Sequence, residues 1–467
     1  MNKFVNRENE LTFLQNEYIK RQSSLVIIYG RRRIGKTSLI KKFIQDKSAL
    51  YFLASEEPER ENINSFKNLL AEFTGNILLR RGSDFSWDDL FTVFRDYNSN
   101  YKKILVIDEF QYLGKANSAF PSIFQRIWDQ IFQDANIMVI LCGSLIHMME
   151  SQTLAYSSPL YGRRTGQIKL KQISFLHYGE FYGNKSEEEL IQYYAVTGGV
   201  PKYIEVFRDV EDVYEGIQKN ILTRQSFLYE EPIFLLEKEV SEIGSYFSII
   251  KTIAQGNHKL GNIAAALGVS QTSLTKYLNT MINLDLIQRE VPITEKNPEK
   301  SKKGLYFIKD NFIEFWFKFI YPYRNYLEMD NTEYVMEKIK HNFIDNHVSF
   351  VYEKICMEKL WELNKENLLN FKFFKLGKWW SGREEIDFIG LNEDSKDIVF
   401  CKCKYHDKPV DGDVFYDLLQ KAKQVDWYKK ERKEQYVLFS KSGFTHNLLS
   451  LADKRKDLIL VFGVRLA

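Results

Sequence analysis

Leu25-Val26-Ile27-Ile28-Tyr29-Gly30-Arg31-Arg32-Arg33-Ile34-Gly35-Lys36-Thr37 is the stretch that sets the fold of this chain. Five apolar residues run without a break into a glycine, which is the pattern of a strand buried on both faces of a parallel sheet. The eight residues after them match G-x-x-x-x-G-K-[ST], and Ser38 to Gln45 continue with helical character. Strand, glycine-rich loop and helix in that order form the context a phosphate cradle requires. Gly30 and Gly35 let backbone N–H groups close around phosphate oxygens. The start of the helix adds partial positive charge. Lys36 can reach the β- and γ-phosphates, and Thr37 can ligate magnesium. Arg33 and Ser38 join the expected phosphate-binding set. The run Arg31-Arg32-Arg33 reads equally well as a solvated face.

A second apolar run, Ile104-Leu105-Val106-Ile107, ends in Asp108-Glu109. A carboxylate at a strand end can hold magnesium through water, the role expected of Asp108. Glu109 would then lie beside the metal, placed to orient or deprotonate a water. Ala49 to Ala54 and Ile137 to Leu141 read as further strands, with helical patterns at Asn62 to Phe73 and Ala119 to Gln133. The last strand runs into Cys142-Gly143-Ser144, and in related ATPase architectures a polar residue there senses the γ-phosphate, which makes Ser144 a candidate. Alternating strands and helices predict a parallel sheet covered on both faces, with ligands at the strands' C-terminal ends.

The composition sets wide bounds. At ~100–200 residues per domain, 467 residues suggest about three domains. Sixty-five basic against 62 acidic residues leave a net charge of +3, so only local patches could favour nucleic acid. Four cysteines, Cys142, Cys356, Cys401 and Cys403, are too scattered for a disulfide framework. Cys401 and Cys403 read as two small side chains on one strand face rather than a zinc site, since only His406 lies near them. The N-terminus lacks a secretory pattern, and no apolar run approaches the ~18 residues of a membrane span. A cytoplasmic protein with no membrane partner is expected.

These segments together resemble a known family, the archaeal-type ATPases found in archaea and bacteria, near the STAND branch of P-loop NTPases. The likeness is carried by Phe4 to Leu11, Gly30 to Leu39, Ile104 to Leu113, Leu141 to Met149, Ser158 to Gly166, Thr197 to Tyr203 and Leu305 to Pro322. It implies ATP and magnesium as cofactors. It also implies that Arg7 lies near the adenine and that Arg163 or Arg164 faces the phosphates, Arg163 being the catalytic candidate with Lys36 and Glu109. Arg suits that role because its charge is permanent and its donors form a fork. Gly198-Gly199-Val200-Pro201 reads as a tight turn in a helical lid.

Beyond Tyr246 the pattern changes. Ser248 to Ala254, Leu260 to Leu267 and Ser270 to Leu284 are helical in period, with Ser270 as an expected N-cap. Two extended segments, Asp285 to Pro292 and Gly304 to Lys309, flank a lysine-rich loop, Glu295 to Lys303. This is the pattern of a winged helix. Gln271, Thr272, Thr275, Lys276 and Asn279 would be exposed on its second helix, while Leu274, Leu278 and Met281 face the core. Such a face could read double-stranded DNA, dock a protein or serve a purely structural role.

The last part resembles the restriction-endonuclease-like domain at the C-terminus of many family members. Such nucleases need an Asp, a second carboxylate on the next strand and a Lys two residues on. Asp387 and Lys404 fit, but Lys402 occupies the second carboxylate position. Strand alternation puts Lys402 and Lys404 on one face, where Lys402 could pair with Asp387. Glu353 or Glu385 are the candidate compensating carboxylates. Trp379 and Trp380 read as core or interface anchors.

The expected division is an α/β P-loop core at 1–172, a helical lid at 173–235, a winged helix at 236–325 and a degenerate nuclease-like domain at 326–467. The function expected is an ATP-driven switch that hydrolyses ATP with magnesium. An ATP-regulated nuclease and a static ATP-binding scaffold are the alternatives, and the oligomeric state is open.

Overall fold

A computed structural model describes residues 4–81, 84–97 and 101–466. The chain forms two compact units. The first runs to Ile173 and also includes Val200–Lys202 and Leu235–Ser241. The second comprises Ser174–Gly199, Tyr203–Phe234 and the chain from Glu242 onward.

Five strands make the sheet of the first unit: β1 (Ser24–Tyr29), β2 (Ala49–Leu53), β3 (Lys103–Asp108), β4 (Ile137–Gly143) and β5 (Gly166–Lys169). Their order is β2-β3-β4-β1-β5, and every pairing is parallel. Every residue of β1, β3 and β4 is buried. This is why their sequences read as unbroken apolar runs rather than alternating ones. On one face, Val26, Ile28, Ile104, Val106, Met138 and Ile140 pack with Leu39, Ile40 and Phe43 of the helix Lys36–Ile44. Elsewhere Phe52, Phe66, Trp87, Phe91, Phe120 and Phe124 form a chain of ring contacts, with Phe66 and Phe91 centroids 5.0 Å apart. Each such ring contributes roughly 1.5–3 kcal/mol through burial. The order matters for the site. It places β4 between β1 and β3, so Ser144 follows a strand flanked by the glycine loop on one side and Asp108 on the other. The register pairs Tyr29 with Gly143 and Ile107 with Leu141.

The second unit holds helices Ile243–Ala254, Leu260–Leu267 and Gln271–Asn283, followed by the antiparallel pair β6 (Ile287–Glu290) and β7 (Leu305–Ile308). The first of these helices starts five residues before the expected Ser248. Ser270 caps the third: its side chain accepts from the Ser273 N–H at 3.1 Å. Gln271, Thr272, Thr275, Lys276 and Asn279 are exposed, and Leu274, Leu278 and Met281 are buried. Lys259 bridges to Leu305 beside the pair.

The aromatic stretch after β7 is buried, but its helix Asn311–Phe315 widens into a π-helical turn at Trp316–Ile320. The long helix expected at Tyr334 to Trp361 spans Thr332–Phe343 and Ser349–Lys365, joined by a π-helical turn at Ile344–Val348. A mixed sheet follows, made of β8 (Lys375–Ser381), β9 (Glu384–Asn392), β10 (Asp397–Lys404), β11 (Lys433–Ser440), β12 (Leu458–Phe462) and β13 (Arg465–Leu466), in the order β13-β12-β11-β10-β9-β8. Only β10-β11 and β11-β12 pair in parallel. Trp379 is buried among Ile386, Phe400 and Tyr436 in this unit's core. Among the described residues, no helix is long and apolar enough to cross a membrane.

Candidate nucleotide site

The loop after β1 is built around two glycines with backbones that side chains rarely allow. Gly30 has φ 147° and Gly35 has φ 92°. A Cβ on Gly30 would stand 2.6 Å from the Leu170 carbonyl oxygen, so a substitution there meets both strain and collision. Gly35 is the N-cap of the helix Lys36–Ile44, and no side chain caps it. The helix's first N–H groups are thus available to an anion. Arg33 also has positive φ, 70°, and Thr37 and Ser38 are exposed on the first turn.

Lys36 is buried and donates to the carbonyls of Gly30 and Arg31, both at 2.8 Å. Burial draws its ammonium below the ordinary value, while the nearby carboxylates of Glu109 and Asp108 oppose that. Arg7 is buried as well. It donates to the Ile34 carbonyl at 3.2 Å and the Lys171 carbonyl at 2.7 Å, so its guanidinium ties the glycine loop to the chain following β5. Burial lowers its pKa, with Glu10 working the other way.

The Asp108 carboxylate faces this loop. Thr37 Oγ1 lies 3.1 Å from Asp108 Oδ2, and the Tyr51 hydroxyl donates to the same oxygen. The Thr37 hydroxyl donates to Asp108 at that distance, so a hydroxyl that could ligate magnesium and a carboxylate that could hold it through water stand side by side at the loop. Burial, then the bond to Asp108, push the Tyr51 hydroxyl well above its ordinary pKa, so it remains a donor.

Glu109 turns back from the end of β3 with φ 56°, a left-handed backbone uncommon for a side-chain-bearing residue. Its own N–H donates to Asp108 Oδ1 at 2.9 Å, and the next N–H, of Phe110, donates to the Cys142 carbonyl at 2.9 Å. These bonds hold the turn. The Glu109 carboxylate accepts from Ser144 Oγ at 2.8 Å and from the side chain of Gln111. Ser144, expected at the γ-phosphate, thus touches the candidate base.

Arg163 lies elsewhere in its bonding: its guanidinium pairs with Asp129 at 3.2 Å and donates to the Pro159 and Tyr161 carbonyls. Of the other sequence-derived residues, Lys36 bonds Gly30, Thr37 bonds Asp108, Ser144 bonds Glu109 and Arg7 bonds the loop at Ile34, while Arg33, Gly35 and Ser38 lie in the same loop and first helical turn.

Sequence reasoning missed Tyr51, Gln111 and above all Glu239. Glu239 belongs to the helix Glu231–Glu239 and accepts from the Ile146 N–H at 3.3 Å. Burial pushes its carboxyl up to about 7, with Arg31, Arg32 and Lys36 restraining the rise. A group raised in this way favours the folded state fully below its unfolded pKa of ~4.5, and that contribution is lost as pH rises through about 7. Glu239→Gln should therefore be near neutral at pH 5 and more stable than the native protein at pH 8, by about 1–3 kcal/mol. Paired thermal melts of both proteins at the two pH values check this; an unchanged difference would exclude it.

The fold and the site define a P-loop ATPase. Residues 4–207 match the family described as an ATPase domain predominantly from Archaea. Residues 316–423 match a second family, described as archaeal and bacterial proteins of unknown function. A Methanocaldococcus jannaschii protein, MJECL04, is 39% identical over 432 residues, covering 91% of this chain and 94% of its own length. The same organism's ATP-binding protein MJ0423 is 54% identical over 44 residues, 9% of this chain and 75% of that one. Among solved structures, the Walker-type ATPase PABY2304 of Pyrococcus abyssi shares the fold with TM-score 0.53 and 20% identity, over 68% of this chain and 96% of that one. The chain belongs to the archaeal-type ATPase family.

Proposed function

We propose that this protein hydrolyses ATP with magnesium and uses the nucleotide state as a switch on a winged helix that binds double-stranded DNA. The observation that carries hydrolysis is the placement of Glu109. It is held by Ser144 at 2.8 Å, one residue from the aspartate that faces Thr37. Thr37 and Asp108 would hold magnesium, which when bound neutralises charge on the phosphates. Lys36 and the N–H groups of the glycine loop and helix bind the phosphate oxygens. Glu109 takes the proton of the attacking water, and Ser144 keeps the carboxylate aimed. Arg7 shapes the loop through the Ile34 carbonyl. Arg163 is proposed for the phosphates only on the resemblance, since its bonds here go to Asp129.

The DNA reading rests on the exposed polar face from Gln271 to Asn279 and on Lys296, Lys300, Lys302 and Lys303, all exposed in the loop between β6 and β7. Polar side chains on such a helix reach base edges, and the lysines meet phosphates. We assign the four-part division of the chain, with a lid at 173–235 and a nuclease-like domain from 326, to the same reading. Nuclease chemistry is not part of it, because Lys402 stands where a metal ligand is needed.

The test is magnesium-dependent ATP hydrolysis with and without duplex DNA. DNA should raise the rate several-fold, and Lys300→Ala/Lys302→Ala/Lys303→Ala should lose the stimulation while keeping the rate without DNA. Hydrolysis indifferent to DNA would redirect the winged helix to a protein partner. ATP binding with no hydrolysis in either condition would leave a static scaffold.

A further inference from the structure

A cavity of about 830 Å³ lies within the second unit, well away in sequence from the glycine loop. Ligand pockets for small organic molecules run from roughly 300 to 1,000 Å³. Four parts of the chain wall it: the turn from Ala254 to His258, the pair β6-β7 with the start of its loop, the helical segment from Glu314 to Met357, and strands β8-β9. They are fixed together by backbone, for the Ile293 N–H donates to the Lys378 carbonyl at 2.9 Å.

The lining has two characters. Phe307, Phe319, Phe350, Phe388, Ile293 and Met357 supply apolar and aromatic surface. The imidazole of His258, also in the lining, stacks on Phe307 with centroids 4.5 Å apart. Against this stand five cationic side chains, Arg289, Lys318, Lys338, Lys354 and Lys378, and three carboxylates, Glu290, Glu314 and Glu353. Glu314 and Glu353 are paired with lysines, while Glu290 keeps its Oε2 buried without a hydrogen bond. Glu314 pairs with Lys318 at 2.8 Å and with Lys354 at 3.3 Å, so it serves two lysines. Glu353 pairs with Lys378 at 2.7 Å, and Glu290 accepts from Gln288 at 2.7 Å. Lys338 lies over the Tyr334 ring at 5.1 Å, and Arg289 donates to the Pro298 and Ser301 carbonyls. The wall thus carries an excess of two positive charges beside aromatic surface. Like charges gathered in a concave wall raise the local concentration of an anion.

We propose that this cavity binds a small organic dianion with an aromatic body, the chemistry of an aryl phosphomonoester. The ring packs against Phe307, Phe319 and Phe388, and the anion sits among Lys338, Lys354 and Lys318. Because the ligand touches β6-β7 and the mixed sheet at once, it ties the hairpin to that sheet. The degenerate nuclease face contributes directly: Lys378 and Phe388 come from the strands that carry or flank Asp387. Among the described residues, no group of three or more His, Cys, Asp or Glu could hold a metal ion. The cavity's chemistry is that of a charged receptor, not a metal centre.

The test uses the full chain carrying Lys36→Ala, which disables the phosphate cradle, and isothermal titration with 1-naphthyl phosphate. Binding is expected, with inorganic phosphate and 1-naphthol each at least tenfold weaker, because each lacks one half of the recognised chemistry. Adding Lys338→Gln should weaken 1-naphthyl phosphate about tenfold. Phe388→Leu, which keeps volume close to native, should weaken it several-fold. Circular dichroism melts establish that each variant is folded. No binding of 1-naphthyl phosphate, or binding that folded Lys338→Gln and Phe388→Leu leave unchanged, overturns the proposal. Equal binding of inorganic phosphate and the aryl ester also overturns it.

Discussion

Glu109→Gln should lower ATP hydrolysis by about 10²–10⁴-fold while leaving nucleotide affinity within about twofold of native. Glutamine matches the glutamate in shape, and its amide oxygen can still accept from Ser144 Oγ, which lies 2.8 Å from the native carboxylate. What it loses is the ability to take a proton. The backbone of the turn is unaffected, because it is held by Glu109 N–H to Asp108 and Phe110 N–H to the Cys142 carbonyl, not by the side chain. Binding is expected to survive because Lys36, the glycine loop and the Thr37–Asp108 pair are untouched. A fluorescent ATP analogue reports affinity, and release of inorganic phosphate reports the rate. Ser144→Ala supplies the companion result. It removes one donor and leaves the carboxylate held by the Gln111 side chain, so its effect should be smaller, of the order of tenfold. A native-like rate in Glu109→Gln would move the base elsewhere and sink the assignment.

Most of the first unit can be read from sequence because burial on both faces writes an unambiguous pattern. β1, β3 and β4 carry the unbroken apolar runs Leu25 to Tyr29, Ile104 to Ile107 and Ile137 to Cys142, and a glycine or carboxylate marks where each meets the ligand side. Asp108 and Glu109 follow, at and just past the end of β3, and Lys36 and Thr37 follow from the fixed spacing of the glycine loop after β1. Glu239 could not follow. It lies far along the chain, in no motif, and only the return of Leu235–Ser241 to the first unit brings it near Arg31 and Lys36. Tyr51 was hidden for another reason: a tyrosine in a strand reads as core, and the hydroxyl's bond to Asp108 depends on the register of β2 against β3. The π-helical turns at Trp316–Ile320 and Ile344–Val348 are one-residue departures from a helical period, too small to disturb the apolar pattern. The cavity was invisible in sequence because its charged lining comes from separate segments, none charged enough alone to stand out.

The pairing of Lys402 with Asp387 was expected from the resemblance to the nuclease-like domain, which places both residues at its ligand positions, and it carries the second large expected effect. Lys402 Nζ lies 2.6 Å from Asp387 Oδ1, with side chains only 14% and 5% exposed. Asp387 Oδ2 accepts from the Cys403 N–H at 2.7 Å. Burial works against the Lys402 charge, but Asp387 outweighs it and holds the ammonium above its ordinary pKa. Lys402→Met keeps the length of the stem and removes the charge, leaving Asp387 buried with one backbone donor. Removing one partner of a buried pair costs about 3–5 kcal/mol, because the remaining charge stays desolvated. The Asp387→Asn/Lys402→Met double variant removes that charge too, and should recover most of the loss. Denaturant unfolding followed by far-UV circular dichroism reads the difference. If Lys402→Met alone is within about 1 kcal/mol of native, water or another cation must already reach Asp387. The face would then be open enough to reconsider metal binding there. If the double variant is as unstable as the single one, the cost is lost packing of the lysine stem, and the charge pair contributes little.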